Sequence, residues 1–300
     1  MGAEFVALSL VPLLVATLAA IACALPGNFL LLRRQSLLGD AISHVVLPGI
    51  VVAFLLTGVT STPAMLAGAL AAAGLSVALI EGLRRGAGVE PGAAMGIVFT
   101  TMFAGGVVLL EQSGAAGVHL DVEHALYGNL ESLIWLRTDG WASLADPAAL
   151  ASLPEELPRM AFVALIVVVV MALIWRPLTL ASFDEGFARS IGLPVRMISA
   201  GLVALAALAA VAAFSAVGSI LVIAMLVCPP AAARLLTRSV RAQVSLSLAF
   251  ATTSAVLGYV LAGYGPLWLG LGASVSAAGM IAVVAGLILA GAIVISGRKS

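Results

Sequence analysis

The chain has 300 residues, 62% of them hydrophobic and 9% charged, with 14 basic side chains balancing 14 acidic ones. Soluble domains carry about a quarter of their residues as charged side chains, so this composition excludes a water-soluble globular protein, and the zero net charge argues against nucleic acid as a partner. The only lysine is Lys299, next to the last residue, which leaves no residue for the phosphate-gripping position of a P-loop. The chain therefore reads as a membrane protein with no nucleotide motor of its own. Cys23 and Cys228 lie far apart in apolar runs, as small buried hydrophobes rather than a disulfide or zinc framework.

Apolar stretches of about 20 residues cross a bilayer as helices, and the charges divide the chain into pieces of that size. The first charge is Glu4, and the run Phe5–Leu32 is too long for the core of a signal peptide, so 5–31 is expected to be a retained first span. Further spans are expected near 37–58, 63–82, 92–111, 160–176, 197–213, 217–235, 243–263 and 270–295. The total is eight or nine. The ambiguity lies around Phe214–Ser219, where an apolar run too long for one helix is interrupted. Two spans fit, and so does one span followed by a half-helix covered by protein.

Cytoplasmic loops hold the excess of Arg and Lys. Arg33–Arg34, Arg84–Arg85, Arg176/Arg189/Arg196, Arg234/Arg238/Arg241 and Arg298–Lys299 fall on one side if the spans alternate. That places the N-terminus outside and the C-terminus in the cytoplasm, and makes the acid-rich segment 112–159 external. The stretches Gly68–Gly74 and Ala204–Ala213 are rich in small residues, which let helix backbones approach closely in lipid. These are read as structural.

The second span contains Ser36-Leu-Leu-Gly39-Asp40-Ala-Ile-Ser43-His44-Val-Val-Leu-Pro48-Gly49. Ionisable groups inside a span are expensive and usually mark an ion path. Four residues apart, Asp40 and His44 share a helix face; a carboxylate and an imidazole together suit a divalent transition metal. Two ligands do not close a site, so a second subunit or another span has to complete it. Pro48 would distort the helix and free backbone carbonyls near His44. The alternatives are structural: Asp40 caps the helix or pairs with Arg33 or Arg34, and His44 is a satisfied core histidine. Five more metal-capable side chains, including His119, Asp121, His124 and Glu131, crowd residues 119–131, either as a vestibule that collects cations or as an ordinary solvated loop.

Two cytoplasmic segments, 182–196 and 229–243, are candidates for docking a partner. In the first, Phe183, Phe187 and Ile191 recur every fourth residue, giving a short helix one apolar edge. Asp184 and Glu185 load its start and Arg189 its end, in the sense the helix dipole favours, and Gly192 and Pro194 stop it. In the second, Pro229 and Pro230 are expected to end the preceding span, and Arg234, Arg238 and Arg241 to hold the segment at the interface. Simple charge anchoring and docking both account for it.

The run Arg33 to Gly49 closely resembles the signature of the permease subunits of manganese/zinc/iron ABC importers. Met95-Gly96-Ile97, His119–Glu131, Phe183–Pro194, Phe214–Met225 and Pro229–Leu236 extend the likeness, in order, over nearly the whole chain. The resemblance implies an all-α polytopic bundle of the type II importer class, one permease domain over 1–300, working as a pair of permeases in a bacterial inner membrane. It further implies a separate cytoplasmic ATP-binding subunit, an extracytoplasmic metal-binding protein, and no permanently bound cofactor, the divalent metal being cargo. Asp40 and His44 match positions implicated in metal passage. Segments 182–196 (Phe183, Asp184, Glu185, Phe187, Arg189, Gly192) and 229–243 (Arg234, Arg238) match cytoplasmic loops that would meet the ATPase, while at His124 related permeases often carry another residue. Two other classes compete: an ion-coupled secondary transporter with Asp40 as proton carrier, and an intramembrane metalloenzyme, which lacks any H-E-x-x-H pattern.

Overall fold

The computed structural model describes residues 2–58, 62–112, 128, 130–138, 140–268, 270 and 275–297. Its long elements are helices: α1 (Ala3–Leu32, with a π-helical stretch at Val6–Leu10), α2 (Leu37–Thr57), α3 (Thr62–Gly86), α4 (Pro91–Gln112) and α5 (Glu156–Leu173). After these come α6 (Trp175–Phe183), α7 (Glu185–Ser190), α8 (Val195–Leu236), α9 (Val240–Trp268) and α10 (Ala277–Gly297). Eight stretches among the described residues are long and apolar enough to cross a membrane, counting the two legs of α8, Val195–Phe214 and Ala216–Leu236, separately. The 21 residues of α2, with Asp40 as their one charge, match these stretches in length.

The interruption expected near Phe214–Ser219 is a sharp break at Gly218, whose φ of 75° and ψ of 169° are open only to glycine. Arg33, just past the end of α1, hydrogen-bonds Ser199 on the first leg, while Gly27 on α1 packs against Leu226 on the second. A straight helix of 42 residues would be about 63 Å long at 1.5 Å per residue, and its two legs could not both return to the same end of α1. The chain therefore reverses at Gly218, the two-span reading. Gly128, at φ 71°, sits so close to Val217 and Gly218 that a Cβ there would overlap their backbone.

One expectation is corrected. Pro229 and Pro230 do not end the span; α8 continues through them to Leu236. A proline ring removes one i→i−4 bond and leaves the acceptor four residues back free; for Pro230 that acceptor is the Leu226 carbonyl. This is the carbonyl against which Gly27 is packed, so a neighbouring helix covers the defect, as proline in a membrane helix requires.

No hydrophobic effect draws helices together in lipid, so close backbone approach has to supply the attraction. Ala16, Ala19 and Ala20 of α1 and Ala206, Ala209, Ala210 and Ala213 of α8 are fully buried, which bears out the structural reading of the alanine-rich stretch. Gly49 of α2 and Gly68 of α3 meet backbone to backbone. We expect Gly27→Ala to lower stability by about 1–3 kcal/mol through overpacking. Gly74→Ala, whose added Cβ meets open space, should be neutral or slightly stabilising. Thermal unfolding in detergent separates the two, and equal Tm values would contradict the close crossing.

Residues 130–152 pack against the start of α1. Trp135 is fully buried; its backbone N–H donates to the Ala7 carbonyl at 2.9 Å, and its indole N–H reaches the Ala149 carbonyl and Ser152 Oγ, both at 3.1 Å. Trp135→Ala is expected to cost about 3–5 kcal/mol and to show as proteolytic opening of 130–152 well below the temperature at which the bundle unfolds.

Candidate functional site

The α1–α2 connection sets where the Asp40–His44 pair begins. Ser36 occupies the N-cap position of α2 and the helix starts at Leu37. Asp40 is thus the fourth helical residue, too far in to cap, which removes one structural alternative. Arg33, at the end of α1, donates from Nε to Ser182 Oγ at 2.9 Å and from Nη1 to Ser199 Oγ at 2.6 Å. The side chains of Asp40 and His44 lie outside the described parts of the structure, but their register is fixed by the backbone. Positions 40, 44, 48 and 51 form one row along α2, and Pro48 and Val51 in that row are buried.

Pro48 lies inside α2 without ending it. Having no N–H, it leaves the His44 carbonyl without its helical donor, one further oxygen beside the pair. The α2 backbone is held on two sides: Gly106 of α4 is so near Pro48 that a Cβ would stand 2.7 Å from the proline Cβ, and Gly49 abuts Gly68 of α3. A seven-residue rise from Leu37 puts His44 about 10 Å into the span. Small residues thus hold rigid the helix that carries the only intramembrane carboxylate–imidazole pair the sequence offers.

The other sequence candidates fare differently. His119, Asp121 and His124 lie outside the described residues. Glu131 sits in a single 3-10 turn, Leu130–Ser132, and its Oε1 accepts a 2.6 Å hydrogen bond from the Ala277 N–H at the start of α10. A carboxylate at a helix N-terminus complements the dipole, so Glu131 has a structural partner in this state. Among the described residues no group of three or more His, Cys, Asp or Glu could hold a metal ion; a complete site at Asp40–His44 needs further ligands.

Sequence reasoning missed a buried polar cluster. Asn28 of α1 and Gln243 and Ser247 of α9 are fully buried. Asn28 Nδ2 donates to Ser247 Oγ, and Gln243 Nε2 to Asn28 Oδ1, both at 3.1 Å. A polar residue late in an apolar run, with two more spaced four apart on another helix, was the available signal. Such bonds between membrane helices are each worth about 0.6 kcal/mol on average and fix the register of α1 against α9.

In the segment 182–196 the expected short helix is present, with shifted limits. Phe183 ends α6, and Asp184 caps the separate helix α7, its carboxylate accepting from the Phe187 N–H at 2.8 Å. Arg189 Nη2 bonds Glu185 at 2.7 Å, one turn apart. Gly192, at φ 82°, ends the turn, and Pro194 occupies the N-cap position before α8. Ala188 is buried with Ala181 and Val195 and seats the helix, while Phe183, Phe187 and Ile191 stand 59, 53 and 53% exposed. The second segment comes alongside: Trp175, Arg176, Thr179 and Phe183 share a groove of about 500 Å³ with Ser239, Val240 and Arg241. Arg234 Nη1 donates to the Arg238 carbonyl at 3.4 Å.

Helices of this number and length, with one chain reversal at Gly218, define a multi-pass membrane protein. The chain belongs to the ABC 3 transport family, whose model matches residues 7–137 and 148–296. It is 39% identical to the manganese transport system membrane protein MntD of Bacillus subtilis (strain 168), over 93% of this chain and 89% of that one. To the zinc transport system membrane protein TroD of Treponema pallidum (strain Nichols) it is 36% identical, over 72% of this chain and 56% of the relative. Among solved structures, PsaBC from Streptococcus pneumoniae in complex with Fab matches with a TM-score of 0.72 and 28% identity, covering 94% of this chain and 89% of that one. The family resemblance and the all-helical membrane fold are borne out.

Proposed function

We propose that this permease is the membrane subunit of an ATP-driven importer for a divalent transition metal, manganese or zinc in the first place. The supporting observation is the carboxylate–imidazole pair Asp40–His44 inside a span, in a chain whose relatives are named for manganese and zinc transport. These two side chains replace water in the hydration shell of the passing ion. Carboxylate suits manganese and imidazole suits zinc, so selection between them rests on geometry and on which metal is delivered. Two copies of the chain, or this chain and a related permease, complete the ligand set across a shared pathway. ATP hydrolysis belongs to a cytoplasmic subunit seated on Phe183, Phe187 and Ile191, with Arg234 and Arg238 beside it. An extracytoplasmic metal-binding protein delivers the ion to the external side.

Membership in an ABC family weighs against the secondary-transporter reading, in which Asp40 carries a proton. A strain deleted for this chain, grown over a range of each metal with cell-associated manganese, zinc and iron measured, tests the proposal. It should fail to grow at limiting concentrations of one metal and recover when that metal is added. Unchanged contents of all three metals would count against the assignment.

A further inference from the structure

The turn between α1 and α2 is tied to the docking face by one side chain. α1 ends in a Schellman arrangement: Gln35 N–H donates to the Leu30 carbonyl at 2.8 Å and Arg34 N–H to the Leu31 carbonyl at 3.0 Å. The left-handed position that glycine usually fills there is held by Arg34, at φ 57°, the one non-glycine residue with positive φ among those described. The turn is therefore stiff and slightly strained, and α2 with its Asp40–His44 pair begins at Leu37.

Arg33 spans three elements from this turn. Its Nε reaches Ser182 on α6 and its Nη1 reaches Ser199 on α8. The Ser182 hydroxyl donates onward to the Leu178 carbonyl at 2.7 Å, so it is fixed as an acceptor for the guanidinium. Ser182 immediately precedes Phe183, the first residue of the exposed apolar row. The third nitrogen, Nη2, is buried with no hydrogen-bond partner among the described residues. Burial pushes the Arg33 guanidinium down from its ordinary pKa, and the field of the Glu185 carboxylate on α7 opposes that. A planar fork that holds two hydroxyls and keeps a third donor unspent suits a part that exchanges partners between two states.

Resting on the ATPase-docking reading above, we propose that Arg33 is a positioning residue for transport, carrying displacement of the α6–α7 docking face into the α1–α2 turn and thus into the helix that bears Asp40 and His44. Arg33 touches neither nucleotide nor cargo; it makes the two ends of the machine move together.

The test uses the complete permease–ATPase complex in proteoliposomes, supplied with its metal-binding protein loaded with manganese(II), with ATP hydrolysis and manganese uptake measured on the same vesicles. For Arg33→Ala, the ATPase should co-purify at the wild-type yield and ATP hydrolysis stay within about threefold, while metal moved per ATP falls at least about tenfold. The double variant Ser182→Ala/Ser199→Ala, which alters packing little, should show the same split and carries the test if Arg33→Ala does not fold. Arg33→Lys should remain uncoupled, because a point charge cannot hold both serines in the fork's geometry. A wild-type metal-to-ATP ratio in the serine double variant, or hydrolysis and uptake falling together in proportion to lost complex, overturns the proposal. Wild-type vesicles that take up no metal with ATP would overturn the docking reading and this inference together.

Discussion

His44→Ala is expected to lower metal uptake by about 100-fold or more while the protein still inserts, folds and binds its ATPase. Loss of outer groups that merely orient a ligand already reduces metal affinity about 10–100-fold, and this substitution removes one of the two proposed intramembrane ligands. The His44 carbonyl, released by Pro48, cannot substitute, because an amide oxygen binds transition metals far more weakly than imidazole. Asp40→Asn keeps the shape and removes the charge; it should be equally damaging for manganese and less so for zinc, which depends more on the imidazole. Uptake of radioactive manganese and zinc by cells expressing each variant at matched membrane levels provides the measurement. Wild-type uptake by His44→Ala would remove the pair from the mechanism.

Phe187→Asp should release the ATPase subunit. Phe187 is half exposed in the middle of the Phe183–Phe187–Ile191 row, where an aromatic anchor of an interface contributes about 2 kcal/mol or more. An aspartate there removes that contact and places a second carboxylate near Glu185 in what would be a desolvated surface. Affinity for the ATPase should fall by about 30-fold or more, read by pull-down from detergent and by loss of ATP-dependent uptake. The bundle itself should keep its Tm, because α7 is seated by Ala188 on the opposite side. Ile191→Ala is the milder control, with a smaller drop in the same direction. Full retention of the ATPase by Phe187→Asp would move the docking surface to the groove beside Ser239 and Arg241.

How far the sequence carried depended on how local the physics was. Spans were legible because charge is nearly forbidden in hydrocarbon, so Arg33, Arg84–Arg85 and Arg176 marked helix ends directly. The α7 helix was legible because its cap, its dipole-matched charges and its stop all lie within a dozen residues. What failed or stayed open depended on partners distant in sequence. Pro229 and Pro230 looked like a helix end because the strand of backbone that covers their freed carbonyl, at Gly27, lies two hundred residues away. The Asn28–Gln243–Ser247 cluster and the bonds of Arg33 to Ser182 and Ser199 are likewise invisible to spacing rules. At the candidate site, residue type and helical register single out Asp40 and His44 as the proposed pair, whereas ligands contributed by distant segments or a second subunit would leave no local pattern.

If this chain moves a divalent metal inward at the expense of ATP hydrolysed by a partner, purified components should reproduce the transport. Permease and ATPase are placed in sealed vesicles with ATP on one side and, on the other, the metal-binding protein with manganese, zinc or iron. The expected result is accumulation of at least one metal that requires ATP and the ATPase subunit and persists when a protonophore collapses any pH gradient. Accumulation without ATP that the protonophore abolishes would contradict it and make Asp40 a proton carrier.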